Sequence, residues 1–278
     1  MTSPAPHDNP VAALFDDLAP DYDQSGVAWF QPIAERLVAA LAPAPGEQAL
    51  DIGAGRGAVT LPVCRAVGPT GSVTAVDIAP GMMRLLAEDA AAQGVANLQV
   101  VVGDADSPAL GESRYDVVAA SLVLFFCPDP EAALRGWLAR SHPGSGRLGI
   151  TTFGQQDDVW RRVDSVFDPF LPQQLLDART SGRRGPFADN DALVALFVAC
   201  GGVDVESVEE PLEVALPDAE AWRRWSMTLG QRRMWGAVPE DRRESVFEQA
   251  AGILEESRGA DGMLHLRQQV RYTVSRTA

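Results

Sequence analysis

The chain has 278 residues, 46% hydrophobic and 22% charged, with a formal net charge of −15. That is the composition of a globular chain long enough for one large α/β domain or one domain with a sizeable insertion. The acidic balance works against a nucleic-acid partner, no run of about 18 uncharged apolar residues offers a membrane span, and Cys64, Cys127 and Cys200 form neither a CxxC nor a Cys/His cluster.

Residues 1–10 read as a loose tail without the basic and apolar regions of a signal peptide, so a reducing cytoplasm is the expected compartment. Short arginine pairs such as Arg161-Arg162 and Arg223-Arg224 read as solvated helix faces. Apolar spacing predicts helices over Val11–Ala19 and Trp29–Leu41, the second stopped by Pro43 to Gly46. Short apolar strands then alternate with helices. Strands are expected at Gln48–Ile52, Ser72–Val76, Leu98–Val102, Tyr115–Ala120 and Arg147–Thr152. Helices are expected at Ala58–Val67, Gly81–Gln93 and Pro130–Arg140. Such alternation predicts a parallel sheet covered on both faces and doubly wound by right-handed crossovers. Beyond Phe153 the pattern breaks. Residues 155–185 read as irregular, Ala188–Cys200 as a helix, Val203–Val208 as a strand, 217–258 as two helical stretches and Met263–Val274 as a late strand.

The informative segment is Leu50–Gly57, at the junction of the first strand and its helix. Glycines 53, 55 and 57 permit a tight turn and close backbone approach by a ligand. A glycine-rich loop alone also fits a dinucleotide pattern, so its surroundings matter. Asp51 stands two residues before the first glycine. It can hold a ligand ammonium directly or through water, or it can cap the turn. Asp77 ends the next strand and can accept both hydroxyls of a ribose, a contact common to NAD and S-adenosyl-L-methionine (SAM). Asp104 and Ala105 follow the third strand, where a polar side chain and a backbone N–H can read an adenine edge; Asp104 could equally cap a helix.

In this order the segments resemble the class I SAM-dependent methyltransferase family, in particular its bacterial small-molecule branch. The matching pieces are Phe15–Asp23, Leu50–Gly57, Ala75–Met83, Gly103–Ala105, Tyr115–Val118 leading to Ser121-Leu122, and Pro143–Leu148, together about half the chain. The match departs from the usual pattern at Ser141–Gly146, where two adjacent glycines are more common. The resemblance implies a Rossmann-like seven-stranded sheet, mostly parallel with an antiparallel last strand, plus a helical lid. It implies N-terminal helices over 1–45 covering the cofactor, a SAM-binding core over 46–153, a lid insertion over 154–188, and the rest of the core over 189–278 with a helical cap at about 217–260. It also implies roles. Gly53, Ala54 and Gly55 line the methionine part of SAM; Asp77 binds the ribose; Ile78 and Met82 pack near the adenine. Asp104 binds the adenine amino group and the Ala105 amide a ring nitrogen. Ser121 sits close to the sulfonium, and Tyr22 closes over the cofactor, with a catalytic part in view.

The implied reaction is methyl transfer to a small, hydrophobic secondary metabolite at a carbon, oxygen or nitrogen. Phe153, Trp160, Trp222 and Trp225 are the expected walls of an apolar acceptor pocket, although the helical spacing of Trp222 and Trp225 also fits simple core packing. Base candidates are Asp157, Asp158 and Tyr22. His7, His142 and His265 are poorly placed, Cys127 reads as a packing residue and Asp116 as structural. A SAM-retaining cyclase on the same fold, an NAD-dependent oxidoreductase, a non-catalytic binding module and a homo-oligomer are left open.

Overall fold

A computed structural model describes residues 9–106, 110–173 and 184–278; the expectation for His7 and part of the 154–188 insertion lie outside them. Two helices precede the sheet, α1 (Pro10–Leu18) and α2 (Phe30–Leu41). Asn9 caps α1 by accepting hydrogen bonds from the Val11 and Ala12 N–H groups, and Pro10 takes the first helical position, where its missing N–H is harmless. Then follow β1 (Gln48–Ile52), α3 (Thr60–Val67), β2 (Ser72–Asp77), α4 (Pro80–Ala92), β3 (Leu98–Val102), β4 (Val117–Ser121), α5 (Pro130–Leu138) and β5 (Arg147–Gln156). The later elements are α6 (Asp158–Ser165), α7 (Asn190–Ala199), β6 (Gly202–Leu216), α8 (Ala219–Ser226), α9 (Arg232–Ala237), α10 (Arg243–Leu254) and β7 (Leu264–Thr277).

The seven strands form one sheet in the order β3-β2-β1-β4-β5-β7-β6. The first five strands pair in parallel; β7 runs antiparallel to both β5 and β6. This is the expected doubly wound sheet with an antiparallel last strand. Both faces are covered, which explains the buried pattern of β1 and β4. Asp116 is structural, as expected: its Oδ2 accepts the Gln48 N–H at 2.9 Å.

Three expectations need correction. The 155–185 stretch contains helix α6, started by Asp157, whose Oδ1 accepts the Trp160 N–H at 2.7 Å. Its polar composition hid it, because only Trp160 and Val163 supply apolar burial on the inner side. Strand β6 runs to Leu216 rather than ending at Val208. Glu209, Glu210 and Pro211 argue against a strand, yet β6 is the sheet edge, where proline and carboxylates are tolerated. The 217–258 region holds three helices rather than two, α8, α9 and α10.

Helices α6, α8, α9 and α10 pack as a cap beyond the sheet, around rings from distant parts of the chain. Trp29 lies 5.4 Å from Trp160 and 5.5 Å from Trp225, and Trp222 lies 5.8 Å from Trp235, centroid to centroid. Arg271 on β7 is buried and fastens the returning chain to the sheet: it donates to Phe187 O at 2.6 Å, Ala188 O at 3.0 Å and Glu209 Oε2 at 2.6 Å. Among the described residues no helix is long and apolar enough to cross a membrane.

Candidate active site

The sheet order reverses between β1 and β4, so their carboxyl ends open a crevice, the usual place for a ligand in such sheets. A cavity of about 860 Å³ fills this crevice and continues beneath the cap. That is room for a cofactor-sized molecule and a second small one.

At one end the loop after β1 folds back over β2. The N–H groups of Gly53 and Ala54 both donate to Val76 O, at 2.8 and 3.0 Å. Gly53 and Gly55 take φ of 68° and 52°, in the left-handed region that side chains avoid. A Cβ on Gly53 would lie 2.2 Å from Val123 Cγ2, so no side chain fits there. Asp77 braces the loop: Oδ2 accepts the Gly55 N–H at 2.8 Å and Oδ1 the Ala79 N–H at 2.9 Å. Each oxygen keeps a second lone pair for a ligand hydroxyl. Ile78, Met82, Asp104 and Ala105 line the neighbouring wall. Asp104 Oδ1 accepts the Asp106 N–H at 3.1 Å, and Ala105 O receives Trp137 Nε1–H at 2.8 Å, which fixes the segment after β3. Ser121, at the end of β4, shares a 2.8 Å hydrogen bond with Thr151, and Leu122 beside it is left-handed at φ 60°. That strained backbone at the cavity wall had no sequence signal.

Asp51 is buried on the cavity wall and hydrogen-bonds the Thr60 hydroxyl at 2.5 Å. Burial pushes its carboxyl up to about 7, with Thr60 pulling down and Asp77 adding to the rise. Without ligand, the neutral form is therefore favoured in the fold. Its stabilising effect is complete below about pH 4 and lost as pH rises through about 7. A cationic ligand reverses this preference by favouring the ionised form. Affinity for SAM, the cationic ligand that the sequence resemblance implies, should accordingly strengthen as pH rises from 6 to 8, and Asp51→Asn should flatten that slope. Calorimetric titration across this range checks it; equal slopes in both proteins would refute the link.

Tyr22 reaches over the loop from the segment after α1. Its ring stacks on Phe30 at 4.9 Å and meets Phe15 edge-on at 6.0 Å. Burial, then the Asp77 and Asp23 carboxylates, raises its phenol above the usual range, which favours the protonated, neutral form. Asp157 caps α6, and Asp158 is exposed and paired with Arg161; neither lines the cavity. His142 and His265 also lie off its lining, and burial keeps the Cys127 thiol protonated.

The far end is aromatic. Phe153 and Trp160 line it as expected. Trp222 and Trp225 do not: both are fully buried behind the wall, where α8 packs on its neighbours, so their helical spacing marked core packing. The wall also includes Trp29, Phe30, Phe125, Leu229 and Met234, with Gln156, Asp164, Gln231 and Gln268 as polar members. Trp29 and Phe30 read in the sequence as ordinary helix residues. Gln268 did carry a signal: it interrupts the buried apolar register Leu264, Leu266, Val270, Tyr272 of β7. Asp164 joins the sheet to the cap, accepting from Gln156 Nε2 at 3.0 Å and Gln231 Nε2 at 3.2 Å.

The crevice combines a glycine-rich loop, a carboxylate that braces it from the end of β2 and a contiguous second chamber. Residues 49–144 match the family described as "Methyltransferase domain". A nocamycin O-methyltransferase of Saccharothrix syringae is 35% identical, covering 95% of this chain and 97% of that protein. An aklanonic acid methyltransferase of Streptomyces sp. (strain C5) is 35% identical over 60% of this chain and 76% of that one. A Haemonchus contortus phosphoethanolamine N-methyltransferase 2 solved in complex with SAM shares the fold, with a TM-score of 0.54 and 14% identity over 88% of this chain and 52% of that one. The chain belongs to the class I SAM-dependent methyltransferases. It is an enzyme with SAM as its methyl donor, which sets aside the NAD-dependent reading.

Proposed function

We propose that this enzyme methylates an oxygen of a small, hydrophobic natural product held in the aromatic chamber. The observation that carries the reading is the continuity of the cavity: the glycine loop and the chamber of Phe153 and Trp160 line one space. The full-length similarity to an O-methyltransferase supports oxygen as the acceptor atom. In the cofactor half, Gly53, Ala54 and Gly55 hold the methionine portion, with Asp51 receiving its ammonium. Asp77 receives the ribose hydroxyls, Ile78 and Met82 flank the adenine, and Asp104 and Ala105 read its edge. Ser121 lies beside the sulfonium, and Tyr22 closes the top as a neutral group. SAM supplies an activated methyl group for in-line displacement. The protein's part is alignment at about 3 Å and exclusion of water, and alignment alone can lower such a barrier by about 7–11 kcal/mol.

The acidic cavity, with no lysine in the chain, speaks for a small-molecule partner rather than nucleic acid. Three unpaired cysteines speak for a reducing cytoplasm. Incubation with methyl-labelled SAM and a panel of hydrophobic natural products that carry hydroxyl or carboxyl groups tests the reading: label should enter the product with one S-adenosylhomocysteine released per turnover. Product formation without S-adenosylhomocysteine would instead establish a SAM-retaining cyclase.

A further inference from the structure

Gln268 stands at the acceptor end of the cavity, almost wholly buried at 3% exposure, on the face of β7 that looks toward the cap. Both hydrogens of its amide nitrogen are used. Nε2 donates to Gly154 O at 3.0 Å and to Gln269 O at 2.8 Å. Turning the amide over would set Oε1 against those two carbonyl oxygens, so its orientation is fixed. Oε1 receives no hydrogen bond from the protein, yet it is not sealed away like the fully buried, unpartnered polar atoms. The side chain lines the cavity, and Oε1 is the polar atom it leaves available there.

The surroundings make this oxygen conspicuous. Trp29, Phe153, Trp160 and Met234 on the same wall offer no strong acceptor, and the other strong acceptor there, the Asp164 carboxylate, already receives the Gln156 and Gln231 amides. A buried acceptor held in one orientation discriminates among ligands, because a ligand without a matching donor leaves it unpaired.

We propose that Gln268 sets acceptor specificity: its fixed amide oxygen receives a hydrogen bond from an O–H or N–H group on an otherwise apolar acceptor. This rests on the reading of the chamber as the acceptor site. Gln268 is a binding residue and takes no proton, since an amide oxygen is too weak a base. A ligand that offers only oxygen lone pairs at this point, such as an ether, meets Oε1 without a donor.

The test uses two probes of one shape, 2-naphthol and its methyl ether 2-methoxynaphthalene, bound by equilibrium dialysis to the protein saturated with S-adenosylhomocysteine. Wild type should prefer 2-naphthol by about tenfold, the discrimination of one buried hydrogen bond. Gln268→Met, of similar length and without polar atoms, should bring the ratio to within about twofold while leaving S-adenosylhomocysteine affinity unchanged. A wild type that binds both probes equally, or neither, overturns the proposal without recourse to any variant. So does a Gln268→Met protein that retains the preference. Failure of wild type to bind S-adenosylhomocysteine would count against the cofactor half of the functional reading, a separate result from failure of the probe preference.

Discussion

Replacing Asp77 with alanine is expected to weaken SAM binding at least about 100-fold. The carboxylate has two tasks that fail together. Its oxygens hold the Gly55 and Ala79 N–H groups at 2.8 and 2.9 Å, which sets the height of the glycine loop above the crevice. Their remaining lone pairs are the proposed partners of the ribose hydroxyls. Hydrogen bonds to a charged group contribute about 1.5–3 kcal/mol each, and 1.4 kcal/mol is a factor of ten, so losing two reaches the stated effect. Asp77→Asn should fall between, since it keeps one acceptor oxygen and replaces the other with a donor. Calorimetric titration with SAM, alongside a melting curve to show that the fold survives, decides it. An affinity within about threefold of wild type would remove Asp77 from the cofactor site.

The second large effect is expected from Gly53→Ala. The residue sits at φ 68°, which places about 1 kcal/mol of strain on any other side chain. The new methyl would also fall 2.2 Å from Val123 Cγ2 and 3.1 Å from its Cγ1. Forcing a methyl into packed space adds about 1–3 kcal/mol. The loop must therefore shift, and a total loss of about 2–4 kcal/mol should appear as a lower melting temperature and poor SAM binding. Combining it with Val123→Ala removes the nearest two atoms and leaves Cβ, 3.2 Å away, so stability should return in part while the strain persists. A double variant as unstable as Gly53→Ala would mean that steric conflict is not the cause.

The amino half of the fold was legible because its signals are local. Parallel strands buried on both faces read as short apolar runs, the helices between them show apolar spacing, and Pro130 opens one of them; Asn9 and Pro10, which start α1, lie in the stretch read as a loose tail. That Asp51, Gly53, Asp77, Asp104 and Ser121 share one end of the cavity was legible for the same reason, since each sits at or next to a strand end. The far end was legible only in part, through Phe153 and Trp160. Its wall is assembled from Trp29 on one side of the sheet's sequence, Trp160 in a helix too polar to recognise, Met234 in the cap and Gln268 in β7. Helical spacing could not separate Trp160, which reaches the cavity, from Trp222 and Trp225, which pack behind it; that choice is made by how α6 and α8 lie against each other.

Strand order carries a consequence for how the molecule is made. Among the described strands β6 pairs with β7 alone, and β7 also flanks β5. As the polypeptide leaves the ribosome, β1 to β5 can assemble early, with the crevice at the carboxyl ends of β1, β2 and β4 already in place. Helices α6, α8, α9 and α10 can pack on one another and on Trp29, but they lack the strand beneath them until residues 264–277 slot between β5 and β6. An arrested nascent chain that ends before β7 would thus hold a nearly finished first half of the sheet and a chamber still missing Gln268, the lining residue that β7 contributes.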